Sequence, residues 1–241
     1  PHVAVRRQRQ MCIRDSSNPM QRICHAVTTK FPDLRFIGLC HEIKSMNRQL
    51  PDLMETEMHN IEYRAAGLNH LSILLEARYK NTGKDGYPII KQNFDAYFSD
   101  LVNKHDAKPS KPGAERGVFR KLFKTYGYLP ITTDSHLGEY IQWAYSVADH
   151  DAILDFYDNY KEKCLAFYDN KTSYDHYFDL KNLDTHERVV PIIEGILSDS
   201  EYEEPAINIP NNGYIECLPK DIVVEVPGII NKSGISGISF K

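Results

Sequence analysis

Three short stretches gather side chains that can bind a metal or move a proton. In "RFIGLCHEIKSM", residues 35–46, an apolar run ends on adjacent Cys40, His41 and Glu42. In "YRAAGLNH" a second β-rich run ends on Asn69 and His70, and "LPITTDSHLGEY" sets Asp134, His136, Glu139 and Tyr140 close together. Thiolate sulfur with imidazole nitrogen suits borderline metals such as zinc, manganese or iron. Cys40 and His70, each just past a predicted strand, are therefore a candidate ligand pair. Parallel strands of an α/β sheet bring their C-terminal ends together, where ligands bind, so the two could meet at one sheet edge. Plainer readings stand beside this one. A cysteine often packs as a small hydrophobe, and on residue types alone packing outweighs ligation for Cys40 and a loop role for His70. A nearby imidazole also lowers a thiol's pKa, which makes Cys–His nucleophilic catalysis a third option. Asp134 is either a helix N-cap, with Glu139 near the positive helix end, or a proton acceptor, and composition balances the two.

The elements that must position these residues follow from periodicity. "SSNPMQR" looks like a strand end meeting a helix: Asn18 can cap, Pro19 suits the first turn, and Ile23, Ala26 and Val27 share one face before Pro32 ends the helix. "RFIGLC" then reads as a strand, in a βαβ rhythm whose first strand is missing. "LSILLEARYK" alternates, with Leu71, Ile73, Leu75, Ala77 and Tyr79 on the inner face and Ser72, Glu76 and Arg78 on the outer. Two helices are predicted from Pro88 (Ile90, Phe94, Tyr97, Phe98, Leu101) and over "GVFRKLFKTYG" (Phe119, Leu122, Phe123, Tyr126), joined by the loop "KPSKPG". A longer helical pattern spans residues 138–167, interrupted near "ADHD". In "NLDTHER", Asp184 and Glu187 have capping-box spacing, "SDSEYEEP" reads as a solvated acidic turn, and short β-rich runs flank "PNNG" near the end.

Bulk composition narrows the function classes. The 241 residues carry 29 Lys and Arg against 33 Asp and Glu, and a net charge of −4 gives no global attraction to nucleic acid or an anionic membrane surface. No stretch approaches the roughly 18 apolar residues of a membrane span, and no apolar signal core follows the N-terminal arginines, so a cytoplasmic protein with small-molecule or protein partners is expected. Cys12, Cys24, Cys40, Cys164 and Cys217 are odd in number and irregular in spacing, which points to free thiols. No phosphate-cradling glycine motif and no nucleophile elbow occurs. Residues 1–16 show no period and read as a foreign or disordered leader.

Taken in order, "SNPM", "IGLCHE", "YRAAGLNH", "GYLPITTDSHLGEY", "INIPNNGYIECLP" and "DIVVEVPGII" resemble the family 4 glycoside hydrolases over about residues 17–241. The resemblance implies an α+β fold: the C-terminal domain of a lactate and malate dehydrogenase-like architecture, here a fragment lacking most of the Rossmann part. Residues 17–48 would be the remnant of the dinucleotide-binding domain and 49–241 the catalytic, substrate- and metal-binding domain. It further implies hydrolysis of α-glycosides (glucoside, galactoside or galacturonide) with NAD and Mn2+ as cofactors. The family route is oxidation at sugar carbon 3, loss of the carbon 2 proton with departure of the aglycone, addition of water at carbon 1, and re-reduction; it lies outside the two-carboxylate scheme.

By position, Cys40 and His70 resemble the metal ligands, and Asn18 the contact to substrate hydroxyls beside the nicotinamide. His41 would be the general acid, and Asn69 and His136 substrate contacts. Asp134 is the first candidate for the base and Tyr140 the second. "CHE" is more like members acting on unphosphorylated sugars than those acting on 6-phospho sugars. A homo-oligomer is expected for the full-length protein. A non-catalytic folding or oligomerisation module, and a hydroxy-acid dehydrogenase, are the alternative readings.

Overall fold

The computed structural model describes residues 20–105, 116–169 and 188–240. The leader, Asn18, Pro19, the "KPSKPG" loop, and Asp184 and Glu187 lie outside the described residues. Two compact units share the chain: one is drawn from Pro1–Ser45, Glu62–Ala77 and Glu187–Lys241, the other from Met46–Ile61 and Arg78–His186.

The first unit is built on a sheet of five strands: β1 (Ile61–Leu68), β2 (Leu71–Tyr79), β3 (Tyr202–Pro210), β4 (Val223–Asn231) and β5 (Gly234–Gly237). Their order is β2-β1-β4-β3, with β5 also on β4, and β4 is antiparallel to each of its neighbours. The expected meeting of parallel strand ends is therefore replaced by hairpins and antiparallel ladders. "RFIGLC" does not become a strand. It makes one antiparallel bridge, Gly38 with Asn208, through two backbone hydrogen bonds of 3.0 and 2.9 Å.

Helix α1 (Met20–Lys30) packs on β3 and β4. It buries Met20 and Cys24, whereas Ala26 of the expected inner stripe is exposed. The reason is the surface it meets: Val223, Phe36 and Cys40 pack with Met20 and Cys24, and Gly38 lies beneath them without a side chain. The main core of the unit joins Ala66, Ile207, Ile209, Val224 and Val226. With the C-terminal helix (Val189–Ser198) also packed on β4, six successive β4 residues from Val223 to Gly228 are buried.

Two expectations about polar residues change in this unit. The alternation of β2 places Ser72 outward, yet Ser72 and Leu74 are wholly buried while Leu71, Ile73 and Leu75 are only partly so. A hydrogen-bonding partner inside the sheet, described below, draws the serine inward. "SDSEYEEP" is likewise no solvated turn beyond its first residues, because β3 begins at Tyr202. Glu203 takes two hydrogen bonds from the Arg64 guanidinium (2.8 and 2.6 Å), and the buried Glu204 accepts one from Arg188 Nε at 3.0 Å. Opposite charges on neighbouring elements let those carboxylates leave water.

The second unit is mainly helical: α2 (Met46–Met54), α3 (Tyr87–His105), α4 (Gly117–Tyr126), α5 (Asp134–Leu137) and α6 (His150–Asp169). Most of each predicted 3.6-residue stripe is buried, but Tyr126, at the last position of α4, is 67% exposed. Ile90, Phe94 and Phe98 of α3 face Phe119 and Phe123 of α4, and the Phe94 ring stacks on Phe123 with centroids 4.0 Å apart. Gly127 ends α4 in the left-handed conformation (φ 76°), with its N–H on the Phe123 carbonyl. The long helix predicted over 138–167 is instead a 3-10 turn at Gln142–Ser146 followed by α6, and the break falls in "ADHD". There the Asp149 carboxylate accepts the Ala152 N–H at 3.0 Å and starts the new helix. No described helix is long and apolar enough to cross a membrane, and Cys24, Cys40, Cys164 and Cys217 are free thiols.

Gly38 is where the tightest packing of the first unit can be tested. An added Cβ would collide with the Met20 thioether and lie 2.6 Å from Cys24 Sγ. The thioether can swing aside, but the cysteine side chain is too short to yield. Gly38→Ala is expected to destabilise the chain by about 1–3 kcal/mol, read as a lower urea midpoint with an unchanged slope.

Candidate functional site

In the first unit the candidate residues are organised by a residue that motif reading passed over. Glu225 lies mid-strand in β4, opposite Gly67 of β1 and Asn208 of β3, and is 2% exposed. One of its carboxylate oxygens accepts hydrogen bonds from Asn69 Nδ2 at 2.9 Å and Asn208 Nδ2 at 3.0 Å. The other accepts one from Ser72 Oγ at 2.8 Å. Burial pushes the carboxyl above the usual carboxylate range, and the three donors pull it back part of the way. This carboxylate is the partner that turns Ser72 inward.

Cys40 shares that environment. Burial, together with the Glu225 charge, pushes its thiol pKa up to about 12. The Cys40 segment is tied to β3 by the Gly38–Asn208 bridge, and the Asn208 side chain meets that of Asn69 at the Glu225 carboxylate. Asn69 and His70 form the two-residue turn between β1 and β2, and His70 sits there with φ 64°. A left-handed backbone is uncommon outside glycine, asparagine, aspartate and histidine. The turn is cramped: a Cβ at Gly67 would lie 2.5 Å from the Leu71 carbonyl oxygen. Sulfur at Cys40 and imidazole at His70 are the donor types that borderline divalent metals take, so the residues present fit such an ion.

The remaining first-unit candidates divide. Asn69 is 3% exposed and its amide is committed to Glu225, so it serves to hold the turn rather than to touch a substrate. His41 is largely exposed, with its ring 3.9 Å from the Glu42 carboxylate.

In the second unit Asp134 has a different task from the proton acceptor expected of it. It is 1% exposed, and its two oxygens accept the backbone N–H groups of Val118 and Phe119, each at 2.9 Å. These are unpaired amides of the first turn of α4, whose own preceding residue, Arg116, makes no side-chain cap. Asp134 therefore caps α4 from 15 and 16 residues along the chain, and both carboxylate oxygens are occupied by that work. Burial pushes its pKa up, while the Phe119 and Val118 amides and the Arg116 charge pull it down. Arg116 is itself held by the Thr132 carbonyl at 2.8 Å. His136 Nδ1 meets Glu139 Oε1 at 3.0 Å, and Tyr140 is 41% exposed.

The sequence did carry a sign of Glu225 and Asn208. An acidic residue inside "IVVEVPGII" and an amide between Ile207 and Ile209 are polar groups in runs that must be buried, and a carboxylate is almost never fully buried without partners. What the runs do not show is which donors meet it.

Comparison with known proteins adds to this geometry. The family described as family 4 glycosyl hydrolase C-terminal domain matches residues 65–241. An alpha-glucosidase of Erwinia rhapontici is 43% identical over 247 residues, covering 92% of this chain and 52% of that protein. An alpha-galactosidase of Bacillus subtilis (strain 168) is 29% identical over 227 residues, covering 91% of this chain and 49% of that protein. A crystal structure of a 6-phospho-alpha-glucosidase from gut microorganisms, in complex with NAD and Mn2+, shares the fold with a TM-score of 0.67 at 18% identity. It covers 93% of this chain and 52% of that one. The chain thus spans about half the length of the relatives it matches.

The capping role of Asp134 has a direct test. Asp134→Ala leaves two buried amides unpaired and is expected to cost about 1–3 kcal/mol per unsatisfied group, measured by urea unfolding. A variant as stable as the parent would contradict the capping role.

Proposed function

Because the chain belongs to the family 4 glycosyl hydrolases, we propose that it is the C-terminal part of an α-glucoside hydrolase that works with NAD and Mn2+. The single observation that carries the reading is the gathering of Cys40 and the Asn69–His70 turn around one buried carboxylate. Identity of 43% to an alpha-glucosidase supports the sugar, and the shared fold with a protein that holds NAD and Mn2+ supports the cofactors. His41, in place of the acidic or amide residue that members acting on 6-phospho sugars resemble, favours an unphosphorylated substrate.

In this reading Cys40 and His70 hold the metal, which when bound supplies Lewis-acid polarisation of sugar hydroxyls. Asn69, bonded to Glu225, braces the turn, and the strained φ of His70 sets the direction from which its ring approaches. His41, on an exposed surface, gives a proton to the leaving oxygen. Asp134 being committed to α4, Tyr140 is the residue proposed to take the proton from carbon 2 through its Oη. His136, with Nδ1 on Glu139, would contact a substrate hydroxyl, and Asn18 would contact the sugar beside the nicotinamide. NAD is assigned to the full-length protein.

The full-length protein is expected to cleave p-nitrophenyl α-glucoside only with both NAD and Mn2+ present, and Cys40→Ser to remove Mn2+ binding and activity together. Cleavage without metal and NAD would overturn the reading. Tyr140→Phe is expected to lower kcat by about 100-fold or more with Mn2+ affinity unchanged, as loss of a general base does. An unaltered kcat would remove Tyr140 from the reaction.

A further inference from the structure

We propose that Glu225 is a positioning residue of the cation site, an outer carboxylate that acts through the segments of Cys40 and His70 to set the affinity for a divalent ion. The inference rests on the assignment of Cys40 and His70 as ligands and deepens it. Three observations carry it. The carboxylate receives three hydrogen bonds, all from donors, as an anion would: Asn69 Nδ2, Asn208 Nδ2 and Ser72 Oγ. One of those donors, Asn69, directly precedes His70, and another, Asn208, is bridged through its backbone to Gly38, two residues before Cys40, so the carboxylate is tied to the segments of both candidate ligands. Finally, Glu225 occupies the middle of a strand buried along six consecutive residues, where an apolar side chain would pack without any such network.

The charge balance explains why a carboxylate would be kept there. A dication beside Cys40 gains from the nearby negative charge about twice what a thiolate at comparable distance loses, because it carries twice the charge. Outer-shell carboxylates that orient ligands typically change metal affinity by about 10–100-fold when removed.

The hydrogen bonds allow charge and scaffold to be separated. In Glu225→Gln the amide oxygen can take the place of the oxygen that accepts from Asn69 and Asn208. The new NH2 then faces Ser72 Oγ, which can accept it while turning its own hydrogen to the Leu68 carbonyl, already 3.0 Å away. The variant keeps every partner and loses only the charge. Ser72→Ala does the reverse, removing a hydrogen bond and keeping the charge.

The test is titration of the 241-residue chain with Mn2+ alone, followed by electron paramagnetic resonance of the free ion, with thermal melts to report folding. Glu225→Gln is expected to weaken Mn2+ binding by about 10–100-fold at a melting temperature close to the parent's, and Ser72→Ala to stay within about threefold. If Glu225→Gln binds as the parent does while Cys40→Ser does not, the role of Glu225 is overturned and the ligand assignment stands. If Ser72→Ala loses as much affinity as Cys40→Ser, the hydrogen-bonded scaffold and not the charge sets affinity, and the proposal falls whether or not the glutamine variant folds. If the parent chain binds no Mn2+, the ligand assignment itself is overturned and this proposal with it.

Discussion

A carboxylate taken into the middle of a sheet is the constraint on which the first unit depends. Burying such a group costs several kcal/mol, and hydrogen bonds to a charged acceptor return about 1.5–3 kcal/mol each, so Glu225 can sit in β4 only if several donors are delivered to it at once. They arrive from three places: the turn between β1 and β2, the start of β2, and the middle of β3. Meeting that demand sets the register of the strands, the inward direction of Ser72 and the position of the Asn69–His70 turn. It also decides which residue of the preceding segment can approach, since Asn208 bonds Glu225 with its side chain and Gly38 with its backbone.

Asp134 shows the same physics in the second unit with a different outcome. It too is buried and too polar to be left alone, but its partners are the open amides of a helix start. A helix N-terminus presents donors and a partial positive charge together, and a carboxylate aimed at it satisfies both sides. Those bonds tie α4 to the start of α5, as Glu225 ties the turn between β1 and β2 to β3. Both carboxylates are buried and taken up by their donors, and each holds separate parts of its own unit together.

Much of the fold could be read in advance, because most of its elements are amphipathic with the period of the structure they form. The greater part of the stripes of α3 and α4, the glycine that ends α4, the strand that ends before Asn69 and His70, and the β-rich C-terminal runs are all local consequences of side-chain spacing. The errors have a common cause. Ser72, Glu204 and Ala26 were placed by hydropathy, and hydropathy fails wherever a buried partner or a glycine-made gap, distant in sequence, changes what a face can accommodate. "RFIGLC" has strand composition but only one bridge, since a strand also needs a neighbour with which to continue.

By itself the sequence determined the residue types able to do chemistry at Cys40, His41 and His70, and the ordered motifs that identify the family. These are properties of single side chains and their order, and folding does not alter them. Only the tertiary structure decided that Asp134 is a helix anchor, that Asn69 is a brace, and that Glu225 draws together the turn of His70 and the strand bridged to Gly38. A carboxylate's role is set by the donors that reach it, and here those donors lie from 15 to 156 residues away along the chain, beyond what local spacing can encode.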